Sequence, residues 1–409
     1  MKQFPVLFVV AALGGCATEP GSLLIDSTDR DGLEAVVESV FLRPIRHASV
    51  VGERSNATAF ALHVGAAAGL NAAAALRFPL ADSTGNPYLG VEDSLLEASL
   101  SLTSLRRRPL LGSQRVEVRL ACFAWEEGSL FSSGTSGLSA IDSLACEGPA
   151  LGELELDGGD TTTVVLSLDR ELIEAWMSTP EENVGLVLQA GADSVLAALG
   201  ASVTSTSPRL NLVTRSPDGR NRIFSIKPVE DTYTVATTDT SLFEAGADRL
   251  MIQNGLARRG LLEFDVSEIP PRSSVVGARL VLYPDATATF LFNPGFGLEV
   301  FEAVAENWTG EFPNLDVDDG GLPPAAGTTI DVFQGNVLLL DSLVANVQVP
   351  VQVWVNDSTA NDGFLFRTTS EVGDLSYLSV LAGEAPEDSL PRLEVQYIVA
   401  PSGRFGGGS

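Results

Sequence analysis

The chain has 409 residues, 45% of them hydrophobic, and a formal net charge of -28 at pH 7. That length and apolar content supply a substantial core, most naturally in two domains, and exclude a chain disordered throughout. So acidic a protein lacks the cationic surface that displaces counterions from nucleic acid, and that class of partner is excluded.

Lys2 precedes an apolar run from Phe4 to Leu13, and then comes Leu13-Gly14-Gly15-Cys16. The run is too short to span a bilayer and fits the apolar part of a signal peptide. Small residues before a cysteine resemble the lipobox of bacterial lipoproteins. That resemblance implies removal of residues 1–15 and acylation of Cys16, with several chains giving stable anchoring where one would not. Ala17 stands where an Asp would favour inner-membrane retention, so the expected destination is the outer membrane, periplasmic or surface-facing. An ordinary secretory signal with a coincidental cysteine is the alternative. Residues 16–33 then read as the acylated cysteine and a polar tether, and 34–215 as the first domain.

Within that domain Ala75-Leu76-Arg77-Phe78 and Glu97-Ala98-Ser99-Leu100-Ser101-Leu102 alternate apolar and polar residues, as half-buried strands do. Cys122 and Cys146, the two cysteines left after Cys16, suggest one disulfide in an exported chain; two buried thiols are the alternative. Asp169 to Met177 is the one clear helix, with Asp169 as cap and Leu172, Ile173 and Trp176 on one face. Turn formers at Ser216-Pro217-Asp218-Gly219-Arg220-Asn221 mark a linker over 216–222. The second domain runs from 223 to 400, and the Gly-rich stretch 401–409 reads as a disordered tail.

The second domain repeats the first. Arg259 to Val266 is a strand closed by Pro270 and Pro271, and Ala278 to Tyr283 is another. Trp125 and Trp308 each follow an alternating strand and precede a turn. Trp176 lies nine residues before Gly185, and Trp354 nine before Gly363. Ser207-Pro208-Arg209-Leu210 answers Leu390-Pro391-Arg392-Leu393. Equivalent positions lie 178 to 186 residues apart, so this is a repeat of two large units. Val347 to Val355, opposite the helix, contains Pro350 and alternates Val with Gln, which reads as strand. The expected fold is all-β: two tandem jelly-roll-like antiparallel β-sandwich domains after a lipoprotein signal peptide.

Asp231-Thr232-Tyr233, Arg259-Gly260-Leu261-Leu262-Glu263-Phe264-Asp265-Val266, Val276-Gly277-Ala278-Arg279-Leu280-Val281-Leu282-Tyr283, Trp308, Trp354 and Asn361-Asp362-Gly363-Phe364-Leu365-Phe366 together resemble the DNRLRE-type module. This is a β-sandwich of secreted and surface bacterial proteins, related to carbohydrate-binding jelly-rolls. The resemblance covers nearly all of the second domain. The first matches more weakly, with Pro79 where the motif has Asp. It implies a binding scaffold without a defined ligand.

Four tryptophans, or Tyr233, Tyr283 and Tyr377, could stack on sugar rings; their place in the repeat favours core anchors for the tryptophans. Asp316, Asp318 and Asp319 offer hard oxygens to calcium in a loop that departs from an EF-hand at Gly320 and Gly327; a solvated acidic loop is the alternative. Arg106-Arg107-Arg108 could meet an anionic polysaccharide or end a strand. The only histidines are His47 and His63, too few for most triads or metal sites, and no nucleophile elbow, phosphate loop or dinucleotide fingerprint is present. The reading is a non-catalytic, membrane-anchored module for polysaccharide or envelope proteins, with calcium the one candidate cofactor. A protein-interaction or structural module without glycan binding is the alternative, and a polysaccharide-degrading enzyme stands behind both.

Overall fold

A computed structural model describes residues 36–51, 54–108, 113–127, 131–132, 144–156, 161–191, 195–237, 248–292, 296–311, 330–334, 337–338, 342–383 and 386–399. The signal peptide, Cys16, the tether, the tail and Asp316, Asp318 and Asp319 lie outside them. Strands β1 (Val37–Leu42), β2 (Pro44–Val51), β3 (Arg54–Ser55), β4 (Ala61–Ala67) and β5 (Leu70–Arg77) come first. They are followed by β6 (Ser94–Arg108), β7 (Gln114–Leu120), β8 (Phe131–Ser132), β9 (Gly152–Leu156), β10 (Thr162–Ser167) and helix α1 (Arg170–Ser178). Next come β11 (Leu186–Ala190), β12 (Leu196–Gly200), β13 (Arg209–Arg215), β14 (Asn221–Ile226) and β15 (Glu230–Thr237). The second repeat supplies β16 (Arg249–Gln253), β17 (Arg258–Phe264), β18 (Ser274–Leu282), β19 (Phe296–Glu302), β20 (Ile330–Gln334), β21 (Val337–Leu338) and β22 (Leu343–Asn346). Helix α2 (Gln348–Val355) and strands β23 (Phe364–Thr368), β24 (Tyr377–Leu381) and β25 (Arg392–Ile398) complete it.

The architecture is all-β and antiparallel, two sandwich modules as the alternating sequence requires. In the first, β14-β13-β6-β10 forms one layer and β15-β5-β11-β7-β9 the other. Leu100, Leu102, Leu210 and Leu212 from one face meet Ala72, Ala74, Leu76, Val116 and Leu186 from the other in a single core. The 15-residue β6 pairs with β10 and β13 in its first part and with β12 near its end, carrying the chain from one layer to the next. The second module repeats this with β1-β25-β18-β22 against β2-β17-β23-β19-β20. Leu280, Leu393 and Val395 there face Leu262, Phe264, Phe364 and Phe366.

Helix α1 forms where the sequence predicts it, capped by Asp169, whose carboxylate accepts the Glu171 N–H at 3.0 Å. Its counterpart α2 is a helix where the alternation of Val with Gln predicts a strand. Pro350 sits in the first turn, where its missing N–H has no intrahelical carbonyl to serve. Val351, Trp354 and Val355 then share the buried side, and packing overrides the β preference of valine.

The strand pairing also crosses the expected division at 216–222. The first two strands among the described residues, within 34–215, belong to the second module: β1 pairs with β25 from Val37↔Ile398 to Leu42↔Leu393, and β2 pairs with β17. Reciprocally, β14 pairs with β13, and β15, carrying Asp231-Thr232-Tyr233, lies along β5 of the first module. Each repeat therefore gives its first two strands to the other. The two modules also share apolar contacts: the first core continues through Met251, Leu256, Phe292, Leu375 and Tyr377 of the second.

Candidate binding surfaces

The tryptophans are structural in position. Trp125 is buried over Ala73, Ala75 and Val187, on the face of the β5 layer turned away from the main core. Its Nε1 donates to the Val184 carbonyl at 2.9 Å. Trp308 repeats this over Leu261 and Leu365, donating to Asp362 O at 2.9 Å. Both carbonyls immediately precede a positive-φ glycine, Gly185 and Gly363, which explains the matched spacing. Trp176 and Trp354 are buried in the two main cores, Trp354 with its ring 4.8 Å from Phe364. Trp308 alone of the four is half-buried, and the Arg46 guanidinium lies 4.0 Å above its ring.

Of the tyrosines, Tyr233 and Tyr377 are buried at the junction, where their hydroxyls donate to Val372 O at 3.4 Å and Ala68 O at 3.1 Å. Tyr283 is half-buried beneath Arg392, 5.5 Å from its ring. The arginine run is built into the fold: Arg107 is buried and donates to Leu156 O at 2.9 Å, and Arg108 donates to Leu291 O at 3.4 Å. Cys122 and Cys146 form a disulfide.

Three features had no clear signal in the sequence. His63 is fully buried at the junction, its ring edge-on to Tyr233 at 4.9 Å and Phe292 at 5.1 Å. Neither of its nitrogens meets a hydrogen-bond partner among the described residues, and burial pulls its pKa down to about 3. Carboxyl groups gather at Glu127, Glu230 and Asp231. Burial raises the pKa of Glu127, with the charges of Asp231 and Glu230 adding to the rise, and burial likewise raises Asp231 against the hydrogen bonds from Ser202. Glu230 is tied to Arg77 at 2.5 Å. Among the described residues no group of three or more His, Cys, Asp or Glu side chains could hold a metal ion.

The third feature is the outer face of the β14-β13-β6-β10 layer. Ser225 donates to Asn211, Asn211 donates to Ser101 at 2.7 Å, and Thr103 meets Thr163 at 3.0 Å, so hydroxyls and an amide line neighbouring strands. In the second module the same face carries Arg279, Arg392 and Glu394, with Glu394 bridging both arginines. Bulky apolar side chains are exposed along the edge strands: Val37, Phe41 and Ile45 on β1 and β2, and Ile223 on β14.

No helix among the described residues is long and apolar enough to cross a membrane. No family model matches the chain, and neither does any curated protein. Among solved structures, the Macrobrachium rosenbergii nodavirus chain is 9% identical over 97% of this chain and 95% of its own, with a TM-score of 0.14. A chain described as BspA_C_WT is 8% identical over 80% and 90%, with a TM-score of 0.13. The infectious bursal disease virus Gt strain chain is 14% identical over 93% and 82%, with a TM-score of 0.14. At such scores these likenesses carry no argument about fold or function.

Proposed function

We propose that the chain is a lipid-anchored bacterial envelope protein, acylated at Cys16, that acts as a non-catalytic module for interaction with other envelope proteins. The observation that carries this reading is where the aromatic and apolar side chains lie. Trp125, Trp176, Trp354, Tyr233 and Tyr377 are buried, while Val37, Phe41, Ile45 and Ile223 stand out on edge strands. Open strand edges with apolar side chains favour protein partners over a sugar groove. A second reading, polysaccharide binding, draws on half-buried Trp308 and on the ladder of Ser225, Asn211, Ser101, Thr103 and Thr163, whose hydroxyl and amide groups suit sugar hydroxyls.

Two measurements test this. Palmitate labelling of cells expressing the chain should mark the wild type and vanish in Cys16→Ala; label that persists in the variant contradicts the anchor. Neutral and anionic polysaccharides, each with and without calcium, should show no saturable binding to the chain from Ala17 onward. Saturable binding that Trp308→Ala abolishes would establish the glycan reading instead, and a strict need for calcium would bring Asp316, Asp318 and Asp319 into the site.

A further inference from the structure

The exchange of first strands between the repeats is written into side-chain charge and size. In register, Arg77 of β5 faces Glu230 of β15, and Glu263 of β17 faces Arg46 of β2. Arg77 and Glu263 occupy the same repeat position, following Leu76 and Leu262 and preceding Phe78 and Phe264. Were each repeat to keep its own strands in the same registers, Arg46 would face Arg77 and Glu230 would face Glu263. Like charges directly opposite are destabilising, so this arrangement selects against the unexchanged pairing.

Size points the same way. The β5 run Ala72-Ala73-Ala74-Ala75 leaves room for bulky partners, and Tyr233 and Val235 of β15 lie opposite Ala74 and Ala72. On β17 the partners from β2 are small: Leu261 faces Ala48, and Gly260 faces Ser49, whose hydroxyl accepts the Met251 N–H at 2.7 Å. Leu250 and Ile252 crowd the open side of Gly260, so a Tyr in place of Ser49 would find that space filled. In charge and in size the β1–β2 arm thus matches the second module better than the first.

The two arms are held unequally. Seven of the eight residues of β15 are buried. Of β1 and β2 only Leu42 is buried, although the arm forms six register pairs with β25 and seven with β17. Segments held by strand pairing with few buried side chains open at lower free energy than the core. An arm that opens alone and is specific for a module over 200 residues away can find that module in another molecule.

We propose that the β1–β2 arm is a donor strand pair taken up by a second copy of this chain, the arm of one molecule completing the second module of another. This inference stands on the pairing topology and does not depend on the anchor or on the envelope partners proposed above. Because donor arm and acceptor module differ, the contact is head-to-tail: it closes into a dimer when reciprocal and continues into a chain of copies when it is not.

The test uses the chain from Ala17 onward. Ser39 and Gln396 are exposed and directly opposite in register. The double variant Ser39→Cys with Gln396→Cys should oxidise within one chain, which establishes that the pair is competent. Chains carrying Ser39→Cys alone are then mixed with chains carrying Gln396→Cys alone, opened in mild urea, returned to buffer and oxidised. A covalent heterodimer is expected, with a yield that grows on tenfold concentration as mass action requires. Arg46→Glu on the donor should lower that yield severalfold, and Glu263→Arg on the acceptor should restore it. A double variant that cross-links within the chain, with no heterodimer from the mixed single variants at any concentration, overturns the proposal. Failure of the double variant to cross-link would overturn the β1–β25 register itself, and the proposal with it. If this first cysteine pair perturbs the fold by near-UV circular dichroism, Phe41→Cys with Glu394→Cys, also opposite in register, takes its place.

Discussion

Acidification should destabilise the junction through His63, and by an amount the structure sets. The imidazole is buried between Tyr233 and Phe292, and its pKa falls from the ordinary 6.5 to about 3. The unfolded chain therefore binds a proton below pH 6.5 that the folded chain refuses until about pH 3. Stability from this group is complete above 6.5 and declines as the pH falls towards 3, by about 1.4 kcal/mol for each pH unit at most. At pH 4 the loss amounts to about 3 kcal/mol. Asp231, Glu127 and Glu302, whose pKa values burial raises, act in the opposite sense. They are common to wild type and a His63→Leu variant, so they cancel in the comparison. Urea unfolding of both chains at pH 7 and pH 4 isolates the histidine. The wild type should lose about 3 kcal/mol more than the variant over that interval. Parallel losses in the two chains would mean that His63 takes up its proton in the folded state and is in contact with water.

Three further outcomes follow from particular contacts. Arg259 and Glu371 form a buried bidentate pair at 2.6 and 2.9 Å, so Glu371→Gln should cost about 3–5 kcal/mol in urea unfolding by removing the charge that faces the buried guanidinium. Gly363 has φ +89° and a Cβ there would overlap the Leu262 carbonyl, so Gly363→Ala should cost about 1–3 kcal/mol and loosen the bond from Trp308 Nε1 to Asp362, seen as a red shift in fluorescence. Cys122 and Cys146 are 24 residues apart, and their replacement by serine should lower stability by about 3 kcal/mol, read from the urea midpoint.

Most of the core could be read from the sequence because period-2 alternation reports directly on burial: Leu210 and Leu212, or Leu393 and Val395, point inwards as their spacing requires. The matched tryptophans reported the repeat: Trp125 and Trp308 bond the carbonyl before the same turn glycine, and Trp176 and Trp354 anchor the helices in the two cores. The exchanged strands could not be read this way. Asp231-Thr232-Tyr233 looks like the opening of the second domain because it is sequence-continuous with it, and alternation gives the buried face of a strand without naming its neighbour. The signal that could have named it was present in the opposite charges at Arg77 and Glu263 and at Glu230 and Arg46, but its meaning depends on register. Helix α2 is hidden in the sequence because its valines suit a strand and the helix is only eight residues long. Arg106-Arg107-Arg108 ends strand β6, one of the two readings of the run, but charge in a sequence does not show that Arg107 is buried against the Leu156 carbonyl. The junction at His63 joins parts of the chain that lie far apart in sequence, so no local pattern marks it.

Each module is completed by strands from the other repeat, and cutting the chain at two alternative boundaries puts that exchange to the test. The fragment 54–237 contains the first module with β14 and β15, whereas the fragment 34–215 replaces them with β1 and β2. Urea unfolding of the two, followed by circular dichroism and fluorescence, compares the pairings under one condition. A cooperative transition is expected for 54–237 and none for 34–215, whose arm would set Arg46 against Arg77 and leave the place of Tyr233 unfilled. A cooperative transition for 34–215 with none for 54–237 would contradict the exchange and restore two modules that each keep their own strands.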